Sequence, residues 1–174
     1  MIEKTISVSK INLLGFLIFL VLASLVIFFY DLYIGIDVKD ILDETSQIIY
    51  FIVLFFVPIF FHELIHAAVF ALFAKNKWSS VKIGVLLKHI TPYAHCSESL
   101  RKIEYAFSLV APGIVLGIMP ICYAFLYSNI TSLIYGLIML STAMGDFIIL
   151  AMVLCVPKGK KVLDHKDKVG FWIV

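Results

Sequence analysis

The sequence predicts an all-α membrane protein of about four transmembrane helices, with a small β-hairpin in the cytoplasmic loop between the second and third. Three observations lead there. The 174 residues are 62% hydrophobic and only 15% charged, with a mean hydropathy of +1.04, whereas a soluble domain is about 45–50% apolar and about 25% charged. Four stretches are long enough to cross a hydrocarbon core about 30 Å thick, which takes about 20 residues at about 1.5 Å each. Basic residues fall in alternate connecting segments. Polar groups cannot cover so apolar a chain, which argues against a soluble enzyme or a disordered chain. A net charge of +2 supplies no basic field for a nucleic-acid partner. The expected organisation is a single integral membrane domain over residues 1–174, with the lipid bilayer as a partner.

The first span, 11–30, carries no charge. Its apolar run exceeds the roughly 7–15 residues of a signal-peptide core, and no small-x-small cleavage site follows, so a retained helix is expected. The second, 48–74, is apolar except for His62, Glu63 and His66. The third, 105–127, is uncharged, and Pro112-Gly113 and Pro120 could bend it. The fourth, 133–156, has Asp146 as its one charge. Lys and Arg collect on the cytoplasmic side of a membrane. They occur in the N-terminal arm (Lys4, Lys10), in the second loop (Lys75, Lys77, Lys82, Lys88, Arg101, Lys102) and in the tail (Lys158, Lys160, Lys161, Lys166, Lys168). The first loop has Lys39 alone among Asp31, Asp37, Asp40, Asp43 and Glu44, and the third, around 128–132, has none. Both termini and the second loop are therefore expected in the cytoplasm. Cys96, Cys122 and Cys155 make an odd set without disulfide spacing. Asn129-Ile130-Thr131 matches a glycosylation sequon, but its loop is too short for the match to carry weight.

Within the second loop, Val81, Ile83, Val85 and Leu87 recur at period two, a strand signal. Thr91-Pro92-Tyr93 should break the strand, and Ala94–Ser97 could return as the second arm of a hairpin. Such an edge could hold an extended substrate segment by main-chain hydrogen bonds. It could equally be an amphipathic cap on the membrane surface.

The chemistry lies in His62-Glu63-Leu64-Ile65-His66. Positions i and i+4 stack on one helix face, so both imidazoles can bind one zinc ion from one side. Glu63 can then reach a water at the metal as general base. An acidic group at mid-bilayer costs about 2.5–3.5 kcal/mol on an insertion scale, so it is not kept there without compensation. The bland alternative is polar packing between helices. A zinc site needs a third protein ligand, and Asp146 is the strongest candidate. His62 lies 14 residues after Ile48 and Asp146 lies 13 after Leu133, so both sit about 20 Å in from the same face. A divalent cation, two carboxylates and two neutral imidazoles sum to zero charge, as a low-dielectric interior requires. Gly145 should let another backbone approach. His95, Cys96 and His89 in the second loop are weaker ligand candidates, since none is forced into the bilayer, and Asp164 and His165 are expected to be solvated unless the tail folds back. Pro58 could kink the second span.

These residues resemble a bacterial family of small membrane proteins described as zincin peptidases, similar in turn to the site-2-protease type of intramembrane metalloprotease. The match rests on His62-Glu63-Leu64-Ile65-His66-Ala67, on Thr91-Pro92-Tyr93-Ala94-His95-Cys96 with the stretch to Arg101-Lys102, on Gly145-Asp146, and on Asp164-His165-Lys166-Asp167-Lys168-Val169-Gly170-Phe171. The resemblance implies His62, His66 and Asp146 as zinc ligands, Glu63 as base and a β-hairpin between spans two and three. It implies cleavage of a peptide or membrane-protein substrate at a bacterial cytoplasmic membrane. Site-2 proteases usually carry an Asn and a Pro near the ligand Asp, whereas Ser141-Thr142-Ala143-Met144 precede Gly145 here. No oxyanion-stabilising group is thereby identified. The alternative functions are a non-hydrolytic metal transporter or sensor using the same ligands, and a scaffold.

Overall fold

The computed structural model describes residues 1–36, 48–86 and 91–174. The expected acidic first loop (Asp37, Lys39, Asp40, Asp43, Glu44) lies outside the described residues, as do Leu87, Lys88 and His89. In chain order the elements are β1 (Ile2–Thr5), α1 (Val8–Tyr33), α2 (Ile48–Phe73), a 3-10 turn (Lys77–Ser80), β2 (Val81–Leu86), β3 (Thr91–Cys96) and β4 (Leu100–Arg101). Then follow α3 (Lys102–Tyr127), α4 (Ile130–Thr142), α5 (Met144–Leu154), β5 (Lys161–Asp164) and β6 (Gly170–Ile173).

Local chemistry explains the helix starts. The Ser7 side chain caps α1 by accepting from the Lys10 amide, and Asn129 caps α4 by accepting from the Ser132 amide at 2.7 Å. The sequon asparagine thus has a structural task. Glu104 reaches back to the Arg101 amide at 2.7 Å and opens α3. Between Pro112 and Pro120, α3 widens into a π-helical stretch, Gly113–Ile118, where the prolines lack the amides an ordinary ladder would use.

Among the described residues, α1 and α3 are long and apolar enough to cross a membrane, and α4 with α5 adds a third crossing if counted as one. The expected continuous span over 133–156 is broken, with α4 and α5 bent by 50°. Ser141 and Thr142 hydroxyls donate to the carbonyls of Ile138 and Met139, at 2.6 and 2.7 Å. Such back-bonding competes with the helix ladder and bends helices. α2 is a helix through Pro58. α1 leaves Phe16, Leu17, Val21, Phe28 and Leu32 exposed, an apolar surface suited to lipid.

An all-α description is also incomplete. Strands β1-β6-β5-β4 form a four-stranded antiparallel sheet, and β2-β3 form the separate hairpin. Thr91-Pro92-Tyr93 does not break the hairpin but begins β3, with Pro92 opposite Val85. In a two-stranded ribbon each strand has an unpaired side, where a residue without an amide is tolerated. The tail is folded rather than solvated, because Val162 and Phe171 are fully buried. They join Phe70, Cys96, Leu100, Tyr105, Leu109 and Val153 in a core beneath the sheet. A second core gathers Ala23, Tyr30, Ala124, Leu133 and Leu137 at the far ends of α1, α3 and α4. On α2, α3 and α5 the polar residues described next follow or precede the first core by about one or two turns.

Candidate metal centre

His62 and His66 face the same way from α2 and are buried, each 6% exposed. Their Nε2 atoms are 3.1 Å apart. Asp146 stands in the first turn of α5, just past the break, where the exposed amides of a helix start favour a carboxylate. Its Oδ2 lies 3.0 Å from His62 Nε2 and 3.3 Å from His66 Nε2. The ligand-type atoms of His62, Glu63 and His66 all lie within 4.8 Å of one another. The bend between α4 and α5 therefore delivers Asp146 to the histidines.

The outer ring atoms decide what the inner ones can do. His66 Nδ1 is 2.6 Å from the Ser108 carbonyl, which only accepts, so Nδ1 carries the hydrogen. Thr142 spends its hydroxyl hydrogen on Met139, leaving its oxygen to accept from His62 Nδ1 at 3.5 Å. A neutral ring with hydrogen on Nδ1 has a bare lone pair at Nε2. Two such lone pairs and a carboxylate oxygen converge within hydrogen-bonding distance. This electron-rich triangle calls for a cation. A single proton leaves the two-carboxylate cluster net negative, whereas a divalent ion neutralises it. The separations also suit zinc, whose tetrahedral ligands at about 2.0–2.1 Å stand about 3.3 Å apart. The donor set fits the metal.

The chain can be compared with known proteins on this footing. Residues 53–161, more than half of it and including the whole cluster, match the model of a family described as "Putative zincin peptidase". The chain belongs to that family. No curated protein and no solved structure matches it.

Other expected candidates are placed differently. Cys96 is fully buried, its thiol 3.6 Å from the Glu98 carbonyl, and burial pushes that thiol above its ordinary value, so it makes a poor thiolate. His95 and Asp164 are not solvated: Nδ1 and Oδ2 are 2.8 Å apart, with each side chain about one-sixth exposed. β5 pairs with β6 and carries Asp164 back under the hairpin. His165 instead lies stacked on Trp172 and 3.2 Å from Glu3 Oε1. Gly145 does not host a close backbone, as a Cβ there would meet only Ile11 Cδ1 at 3.7 Å. A Cβ at Gly15 would stand 3.1 Å from Met144 Cβ, but the close backbone approach between helices falls at Gly136, where a Cβ would stand 2.8 Å from the Gly117 carbonyl oxygen. Ser108, Thr142 and Ala94, whose backbone lies beside the Glu63 carboxylate, have no signature in the sequence. Backbone groups have no residue signature, and Thr142 signals only through its Ser-Thr position before Gly145.

Proposed function

We propose that this chain is a membrane-embedded zinc metallopeptidase of the site-2-protease type. The observation that carries the proposal is the convergence of His62, His66 and Asp146 on one point, with Glu63 beside it, among helices apolar enough for a bilayer. His62, His66 and Asp146 would hold the ion. When bound, zinc would polarise a peptide carbonyl and lower the pKa of a water toward about 7. Glu63 takes the proton of the attacking water and passes it to the leaving amine. Ser108 and Thr142 keep the two rings in register. Ile83 and Val85 on the exposed strand β2, with Val81, support a role for the hairpin in holding an extended substrate segment.

The proposed topology is four spans, with both termini and the hairpin on the cytoplasmic side of a bacterial cytoplasmic membrane. The alternation of basic segments supports it. So does the sheet order β1-β6-β5-β4, because one sheet can join the N-terminal arm, the loop before α3 and the tail only on a common side.

The test is metal content by mass spectrometry together with cleavage of fluorescein-labelled casein by detergent-purified protein. Wild type should hold one zinc per chain, and His62→Ala and Asp146→Ala should lose it. Glu63→Gln should keep the zinc and lose cleavage by at least about 10²-fold. Zinc binding with no cleavage by wild type would sink the peptidase reading in favour of a non-hydrolytic metal carrier or sensor. Absence of zinc in wild type would leave a scaffold.

A further inference from the structure

Three polar side chains form a second cluster beside the metal centre. Asp164 on β5 accepts from two directions: Tyr105 Oη–H at 2.7 Å on Oδ1, and His95 Nδ1 at 2.8 Å on Oδ2. With both carboxylate oxygens taken, the His95 ring is held and its Nε2 is the outward atom. Among the described residues Nε2 makes no hydrogen bond. The cluster is near the proposed chemistry by two routes. The residue before His95 is Ala94, whose backbone lies close enough to the Glu63 carboxylate to act on it electrostatically. The Tyr105 ring lies 5.8 Å from that of Phe70, which is one helical turn, about 5.4 Å, past His66, and Ser108 one turn after Tyr105 bonds His66 itself. A part-buried Asp–His–Tyr set with an open imidazole nitrogen has no packing need to fulfil on that open side.

We propose that His95 is a further catalytic residue: in its doubly protonated form, with Nδ1–H held on Asp164, it donates Nε2–H to the scissile carbonyl oxygen as negative charge builds there, while Asp164 and Tyr105 hold the ring. The charged and titratable groups facing it are Asp164 on β5, Tyr105 on α3 and Lys82, its partner across the hairpin. Asp164 balances the imidazolium, and a preformed donor of this kind stabilises an oxyanion at no cost in reorganisation. This fills the role that the missing Asn leaves open. It rests on the peptidase reading.

The experiment compares zinc-loaded wild type, His95→Ala, His95→Gln and Asp164→Asn in detergent micelles, reading zinc per chain and casein cleavage. His95→Ala should keep one zinc, lose about 10²–10³ in kcat and hold KM within about twofold, as loss of an oxyanion donor does. His95→Gln, whose amide can donate at similar reach, should recover part of that loss. Asp164→Asn leaves the imidazole in place without its counter-charge and should fall between. Wild-type kcat in His95→Ala would overturn the proposal. So would loss of zinc in His95→Ala with Asp164→Asn at wild-type rate, which would make the ring a prop of the centre. An inactive zinc-loaded wild type would withdraw the peptidase reading itself, and this role with it.

Discussion

His62 and His66 are fixed from behind by two groups of unequal kind, a backbone carbonyl and a hydroxyl. The carbonyl of Ser108 cannot be removed by substitution, but the Thr142 hydroxyl can. Thr142→Val keeps the shape and removes the oxygen that accepts from His62 Nδ1. The ring then loses its tautomer preference and part of its orientation. Supports of this kind are worth about 10–100-fold in metal affinity. The bond is long, so Thr142→Val should weaken zinc by about 10-fold, the low end of that range. Thr142→Ser, which keeps an oxygen, should stay near wild type. Competition with a chelating dye measures both, and an unchanged affinity in Thr142→Val would show that the hydroxyl does not orient the ring. The inner groups and their supports differ in how readily a sequence shows them. An ionisable residue inside an apolar span is rare enough to stand out, and equal depth along two spans puts Asp146 beside the histidines. Ser108 acts through its main chain, which any residue possesses. His95 looked like an ordinary loop histidine because its partner, Asp164, is 69 residues away.

At the scale of elements, the hairpin is attached to the end of α2 by one side chain. Glu98 accepts from the amides of Lys75 and Asn76 at 2.8 and 3.1 Å, from Asn76 Nδ2 at 2.6 Å, and from the Ser80 hydroxyl. The Ser80 hydrogen bond, followed by the amides, holds the Glu98 carboxyl below its ordinary value of 4.5. A carboxyl depressed in the folded state stabilises it fully above the unfolded value and loses that effect as pH falls through the folded one. The melting temperature of wild type should therefore exceed that of Glu98→Gln at neutral pH, with the gap closing below about pH 4.5. A gap independent of pH would mean that the amide replaces the carboxylate bond for bond. The elements themselves divide by how local their signals are. Long apolar runs gave the helices, and period two gave β2. The α4–α5 break followed from Ser141 and Thr142 turning back on the ladder, which hydropathy cannot register. β1, β4, β5 and β6 have two to four residues each, too short for periodicity. They exist through pairing with distant partners.

The whole molecule is closed by that terminal sheet. β1 pairs with β6 in register from Ile2 opposite Ile173 to Thr5 opposite Gly170. Gly170 has φ +139°, and a Cβ there would press into the Lys4 carbonyl. A side chain at this position strains the backbone and separates the strands. β5 is bound to β6 over Val162–Asp164, so a loosened β6 also loosens Asp164, and with it the His95 and Tyr105 contacts. Gly170→Ala should lower the melting temperature by the equivalent of more than about 1 kcal/mol. On the proposed reading it should lower kcat as well, with zinc content unchanged, because the metal ligands lie on α2 and α5 and not on the sheet. The same sheet demands that residues 2–5 and 170–173 share one side of the bilayer. Reporter fusions before Met1 and after Val174, scored as cytoplasmic or external, test this directly. Both should be cytoplasmic. Termini on opposite sides would be incompatible with β1 pairing to β6, and would remove the structural support for an even number of spans. Both termini outside would keep the sheet but reverse the orientation drawn from Lys4, Lys10 and the tail lysines.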